Sequence, residues 1–256
     1  TVTDLNGAIA QANTATGKST LAAGATVFSL SSGATINTGN EAAFTTLLDN
    51  ETNGLISLED QNLTVDSGSI SVANAILLAA ATTGTITATI ATTESVDSLK
   101  TLYDTGETNA YTITITSDAA DTQQSTAAEF NAINNATSLA VNATSVTELA
   151  SSNISDIKTL LTAGNDTNQF TATSFGSLAT VTVADTTLDV SDLNDSIAQA
   201  NTATGATSTS FTISSVDTIN AGTAAEFTTL LGYESGSQIS ITAVSYTHLR
   251  AHETPI

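Results

Sequence analysis

The stretch ATVTVADTTLDVSDLNDSIAQANTATG, residues Ala179–Gly205, carries two periodicities in succession. Its first five residues alternate apolar and hydroxylated side chains, the period-two pattern of a half-buried strand. From Val190 onward, Leu193, Ile197 and Ala200 fall instead on one face at helical spacing. Ser191 is placed to cap that helix, its hydroxyl taking an otherwise unpaired backbone N–H. A strand leading into a helix over so short a span favours parallel pairing, because the helix serves as the crossover to the next strand.

The pattern recurs at two scales. DLNDSIAQANTATG at Asp192–Gly205 repeats DLNGAIAQANTATG at Asp4–Gly17, differing only where Asp195 and Ser196 replace Gly7 and Ala8. TINTGNEAAFTTLL at Thr35–Leu48 returns as TINAGTAAEFTTLL at Thr218–Leu231, in the same order, so the chain spans a little more than one long repeat of roughly 185 residues. Within it a shorter cycle places helix-like stretches at Asp4–Ala12, Glu41–Leu48, Val72–Ala81, Val96–Tyr103, Ala127–Asn134, Ile154–Leu161, Val190–Ala200 and Ala224–Leu231. Thr3, Ser95, Thr126, Ser191 and Thr223 are the expected N-caps. Strand-like stretches are expected at Thr85–Ile90, Tyr111–Thr116, Phe170–Ser174, Ala179–Val183 and Ser210–Ser214.

Equal units of this kind, stacked on their neighbours, predict an α/β repeat solenoid over residues 1–244, with about eight coils of one short parallel strand and one short helix each. The strands are expected in a single sheet, helices on its apolar face and Thr/Ser side chains on the other. An all-β solenoid is the alternative, since short apolar runs fit either element. With no Trp or Met and an Ala-rich composition, the expected core is thin, with no side chain contributing much.

Composition narrows the function classes. Four Lys and Arg against 25 Asp and Glu give a net charge of -21 in 256 residues, which leaves nothing to neutralise a run of phosphates. A mean hydropathy of +0.13 is too high for a solvated disordered tail. Cysteine is absent, removing disulfides and thiol chemistry together. No apolar run approaches the length of a membrane-spanning helix, the best being Ala73–Ala81 with Asn74 inside it. The start at Thr1 looks internal, and the chain is expected to be a piece of a longer one.

The run Ala179–Gly205, with the recurrent TAAEF phrase and the SVTELA phrase at Ser145–Ala150, resembles the Ala/Thr/Ser/Asp-rich tandem-repeat regions of very large cell-surface or secreted proteins of marine bacteria, notably cyanobacteria. The resemblance covers nearly all of residues 1–244 and implies an extracellular or cell-surface setting. It also implies a structural or adhesive role, with neighbouring repeats and cell-surface or matrix components as partners, and it carries over no functional residue. The last twelve residues, SYTHLRAHETPI at Ser245–Ile256, resemble translated sequencing-adapter read-through and are set aside as a non-native tail. With them go His248 and His252, whose spacing of four would otherwise suit a zinc pair on a helix.

Calcium is the one cofactor to weigh. Asp49, Glu51, Asn53 and Asp60 echo an EF-hand loop, but Glu51 stands for the usual Asp/Asn and Asp60 for the bidentate Glu, so a plain polar turn is the preferred reading. Nucleophilic catalysis lacks a histidine base once the tail is removed, and no acidic pair stands out for glycoside cleavage, so no enzyme is expected. Threonine rows at Thr85, Thr87 and Thr89 and at Thr112, Thr114 and Thr116 keep an ice-binding alternative beside the calcium one, although neighbouring strands such as LISL and LAVNA do not continue the rows. Hydroxylated β-branched residues suit the wet face of a strand without any ligand.

Overall fold

A computed structural model describes residues 1–102, 109–116, 125–206, 208–213, 218–220 and 222–241 of the protein. Among these residues the chain is α/β, with eight helices and with parallel strands in three sheets. The helices are α1 (Val2–Thr16), α2 (Glu41–Thr52), α3 (Val72–Ala81), α4 (Val96–Leu99), α5 (Ala127–Asn135), α6 (Ile154–Gly164), α7 (Val190–Thr204) and α8 (Ala224–Ser235). The strands are β1 (Thr35–Ile36), β2 (Asn62–Thr64), β3 (Ile86–Thr89), β4 (Ala110–Thr112), β5 (Glu148–Ser152), β6 (Thr180–Val183), β7 (Thr187–Asp189), β8 (Ser210–Thr212) and β9 (Thr218–Asn220). The helices exclude the all-β alternative. No helix among the described residues is long and apolar enough to cross a membrane.

The chain divides into two compact units, the first made of Thr1–Glu94, Ser98–Thr114 and Asn135–Ala140 and the second of the remaining described residues. In the first, the sheet order β1-β2-β3-β4 follows the chain. Ile36 lies opposite Leu63 and Leu63 opposite Ile86, while Ala88 faces Tyr111, and all are buried. The intervening residues face outward, Thr64 opposite Thr87 and Thr89 opposite Thr112. Helices α1, α2 and α3 pack in sequence, and α2 and α3 send Phe44, Leu47, Val72, Ala75 and Leu78 into the core. In the second unit the orders are β5-β6-β8 and β7-β9, with Leu149, Val181 and Phe211 forming one buried row. Helix α6 packs on α7 and α7 on α8.

Several expectations are corrected. The strands form three sheets rather than one, because segments only two to five residues long often meet through isolated pairs such as Phe28 with Ile56 or Val141 with Phe170. Two strands, β6 and β7, lie between α6 and α7, so one strand per coil does not hold there. FTATS at Phe170–Ser174 contributes a single paired residue, then turns, with Thr173 and Phe175 at φ 71° and 58°. That turn drives Phe175 into the interior, edge-on to Phe130 and Phe170 with ring centroids 6.1 and 5.1 Å away. The core is therefore richer than its alanine content suggests, since Phe44, Tyr111 and these three rings are all fully buried. The caps of α1 and α7 are Thr1 and Asp189 rather than Thr3 and Ser191, because Val2 and Val190 are fully buried as first helical residues. Thr223 caps α8 as expected, with Glu226 returning the bond in a capping box. The tail Ser245–Ile256, Tyr103 and Ser214 lie outside the described residues.

Candidate functional site

The calcium candidates are placed by the end of α2. An EF-hand reading needs open chain from Asp49 onward, but the helix continues through Thr52, with Asn53 as its C-cap. Asp49 and Glu51 are thus helical, and the chain turns only at Gly54, whose φ of 71° suits glycine. Glu51 Oε1 accepts the Leu58 N–H at 2.9 Å. The Ser32 hydroxyl chiefly holds the Asp60 carboxyl below its ordinary range, aided by the Gln61 amide and the Gly33 N–H. Glu51 and Asp60 are engaged by the chain's own donors, and among the described residues no three His, Cys, Asp or Glu groups come together in metal-holding geometry.

Beside this turn lies an open groove of about 760 Å³, bordered by Val27, Phe28, Leu30, Ile56, Glu59 and Gln61. Gln61 is buried, donates to Asp60 through Nε2 and leaves its Oε1 without a partner. On the sheet, the outward threonine rows are two residues long, the pair Thr64 and Thr87 being followed by Ala110.

One recurring set of long-range side-chain bonds joins one helix to the next. The fifth residue of α1, Asn6, donates from Nδ2 to the backbone oxygen of Ala43, the third residue of α2, at 2.8 Å. Asn131, fifth in α5, does the same to Asp156, third in α6, at 3.1 Å, and Asn194, fifth in α7, to Glu226, third in α8, at 2.9 Å. At the α6–α7 junction the fifth residue is Lys158, whose Nζ lies 2.8 Å from both Asp192 and Asp195. These carboxylates raise the Lys158 pKa. The first N–H of a helix is also taken by a later segment: Val2 by the Asn37 oxygen, Val72 by Glu94, Ala127 by the Ser152 hydroxyl and Ile154 by Asp185. Between α2 and α3, Glu41 Oε1 accepts from the Ser71 hydroxyl, the Ser71 N–H and the Asn74 amide at 2.6–2.8 Å, which holds its carboxyl below the usual range.

Sequence reading missed these rungs, although a signal existed. VTDLN, AAEFN, VSDLN and ISDIK open α1, α5, α7 and α6 with an acid, an apolar residue and then Asn or Lys at positions three to five.

The long repeat is reproduced in detail. Gly17 and Gly205 both end their helices left-handed, and Phe28 pairs with Ile56 as Phe211 does with Ile239. A Cβ on either Gly39 or Gly222 would overlap a valine methyl, of Val2 in one copy and of Val190 in the other. Glu234 Oε1 accepts the Ile241 N–H as Glu51 does that of Leu58. The copies differ in one span: Gly17 to Phe28 is eleven positions, Gly205 to Phe211 only six.

Comparison with protein-family models, with curated proteins and with solved structures finds no match to this chain.

Proposed function

We propose that residues 1–244 are a solenoid segment of a large exported bacterial surface protein, serving as a structural or adhesive spacer rather than as an enzyme. Its partners on this reading are the neighbouring repeats of its own chain and cell-surface or extracellular matrix components. The supporting observation is the rung from the fifth residue of one helix to the third residue of the next, at three junctions and with Lys158 substituting at a fourth. A constant offset between successive helices is what one-dimensional stacking requires, since each coil then buries its face against the next in the same way. Parallel strands that pair mostly in chain order supply the matching offset in the sheet layer. The acidic surface keeps such an array soluble and repels like copies.

The test is to insert one further long repeat and measure the maximum dimension by small-angle scattering. Stacking at strand spacing lengthens the particle by about 30 Å, while a globular arrangement enlarges it far less and would refute the spacer reading. Calcium calorimetry and a thermal-hysteresis assay run on the same material. Heat of binding or hysteresis would move the assignment to a calcium-binding or ice-binding module.

A further inference from the structure

The long repeat allows one helix sequence to be seen in two surroundings. Leu193, Asn194, Ser196 and Ala200 of α7 are buried, whereas their counterparts in α1 are half-buried at Leu5, Asn6 and Ala12 and exposed at Ala8. Helix α2 lies on α1 as α8 lies on α7, so that side does not account for the difference. The difference is α6, which packs on the other side of α7. From it Lys158 bridges Asp192 and Asp195, and Asn165 Nδ2 donates to the backbone oxygen and Oε1 of Gln199 at 3.2 and 2.6 Å.

The strand layer repeats the contrast. Phe211 is buried next to Val181 of β6, with Thr209 Oγ1 donating to the Leu178 oxygen and the Ser210 N–H to that of Ala179. The counterpart Phe28 is half-buried, and Thr26 and Val27 are exposed, Val27 at 51%. Phe28 keeps the bond on its other side, its N–H to Leu55, as Phe211 does to Gln238.

We infer that the face formed by Asp4, Leu5, Ala8, Gln11 and Ala12 with the strand edge 26–29 docks a coil of the kind formed by α6 and β6. That partner is an amphipathic helix with a cation at its fifth position and an amide at its C-cap, followed by a strand that adds parallel to residues 27–29. The registers follow from the occupied copy, in which Thr180, Val181 and Thr182 lie opposite Ser210, Phe211 and Thr212. Val27, Phe28 and Ser29 receive the equivalent residues. The cation meets Asp4, whose side chain is 83% exposed, and the amide reaches Gln11. Gly7 stands where Asp195 supplies the second carboxylate, so the pair at this face is single. The inference rests on the repeat-array reading and specifies which surface of it is competent and for what.

The experiment places a second copy of residues 125–189 directly ahead of Val2, so that its Asp189 takes the position of Thr1. Amide exchange is followed at 5–12 and 26–29. The expected result is a slowing of about tenfold or more in both segments, toward the rates of 193–200 and 209–212. Ala8→Arg in the extended chain should abolish the slowing, because the equivalent Ser196 is fully buried, yet leave the parent unchanged, where Ala8 is exposed. Unchanged exchange in the extended chain, whether the added coil is ordered or not, overturns the inference, as does slowing that survives Ala8→Arg. Either result can occur while the scattering test still reports lengthening, which separates this failure from failure of the spacer reading.

Discussion

Asn194 is buried with its side-chain oxygen unpartnered, while the equivalent oxygen of Asn6 accepts from Asn50 at 3.2 Å. The second copy has Tyr233 where the first has Asn50, so it lacks that amide donor at the place where the acceptor is the more deeply buried. Tyr233→Asn should return the partner and stabilise the second unit by about 1 kcal/mol, read as a higher denaturation midpoint. Glu41 gives a pH signature. Its carboxyl pKa is depressed in the folded chain by Ser71 and Asn74, so its stabilisation is complete above about pH 4.3 and is lost as pH falls through the lower folded value. Glu41→Gln should lower stability by about 1–2 kcal/mol at neutral pH and flatten the acid limb of the stability curve. Lys158 has the opposite sign. Its pKa is raised, so its contribution is full below about pH 10.4 and fades as pH climbs toward the folded value. Because the pair is substantially solvent-exposed, Lys158→Gln should cost only about 0.5–1 kcal/mol. That difference from the parent should shrink in high salt, which melts measured at two salt concentrations will show.

At the scale of elements, the glycines divide by what surrounds them. Gly39 precedes the cap of α2 and leaves no room for a methyl beside Val2, so Gly39→Ala should cost about 1–3 kcal/mol, as should Gly222→Ala against Val190. Gly7 lies inside α1 with open space around its Cβ position, so Gly7→Ala should instead stabilise by about 0.5–1 kcal/mol. Urea denaturation of the three variants checks the sign of each. The helices were legible because apolar residues such as Ile154, Ile157, Leu160 and Leu161 mark a continuous buried face. Strands were less so. Thr35–Ile36 and Asn62–Thr64 are too short for alternation to register, and they become strands through pairing with neighbours that local sequence does not name. FTATS alternates yet turns, because burying Phe175 between two rings outweighs extending a strand and sustains a left-handed residue. The rungs were hidden for a different reason: a single Asn is ordinary in an exposed helix, and only the placement of the next helix gives its amide a target.

For the molecule as a whole, the scarcity of cations means that cohesion comes from apolar burial and hydrogen bonds rather than ion pairs, while 25 acidic residues repel. Moderate salt should therefore raise overall stability even as it weakens the Lys158 pair. The duplicated copy also shows which parts of the unit are fixed. Helix, strand and rung are kept from Gly17 back and from Phe28 on, but the connector between them shortens by almost half in the second copy without displacing the pairing of Phe211 with Ile239. The two copies thus already differ in length at that connector. The segment Lys18–Ala25, mostly exposed, is accordingly a grafting port: a peptide tag or binding loop spliced into it should leave the melting temperature of the first unit within a few degrees, since each doubling of a flexible connector costs only about 0.6 kcal/mol. A chain that accepts cargo at that connector while its neighbours hold register can serve as a display scaffold.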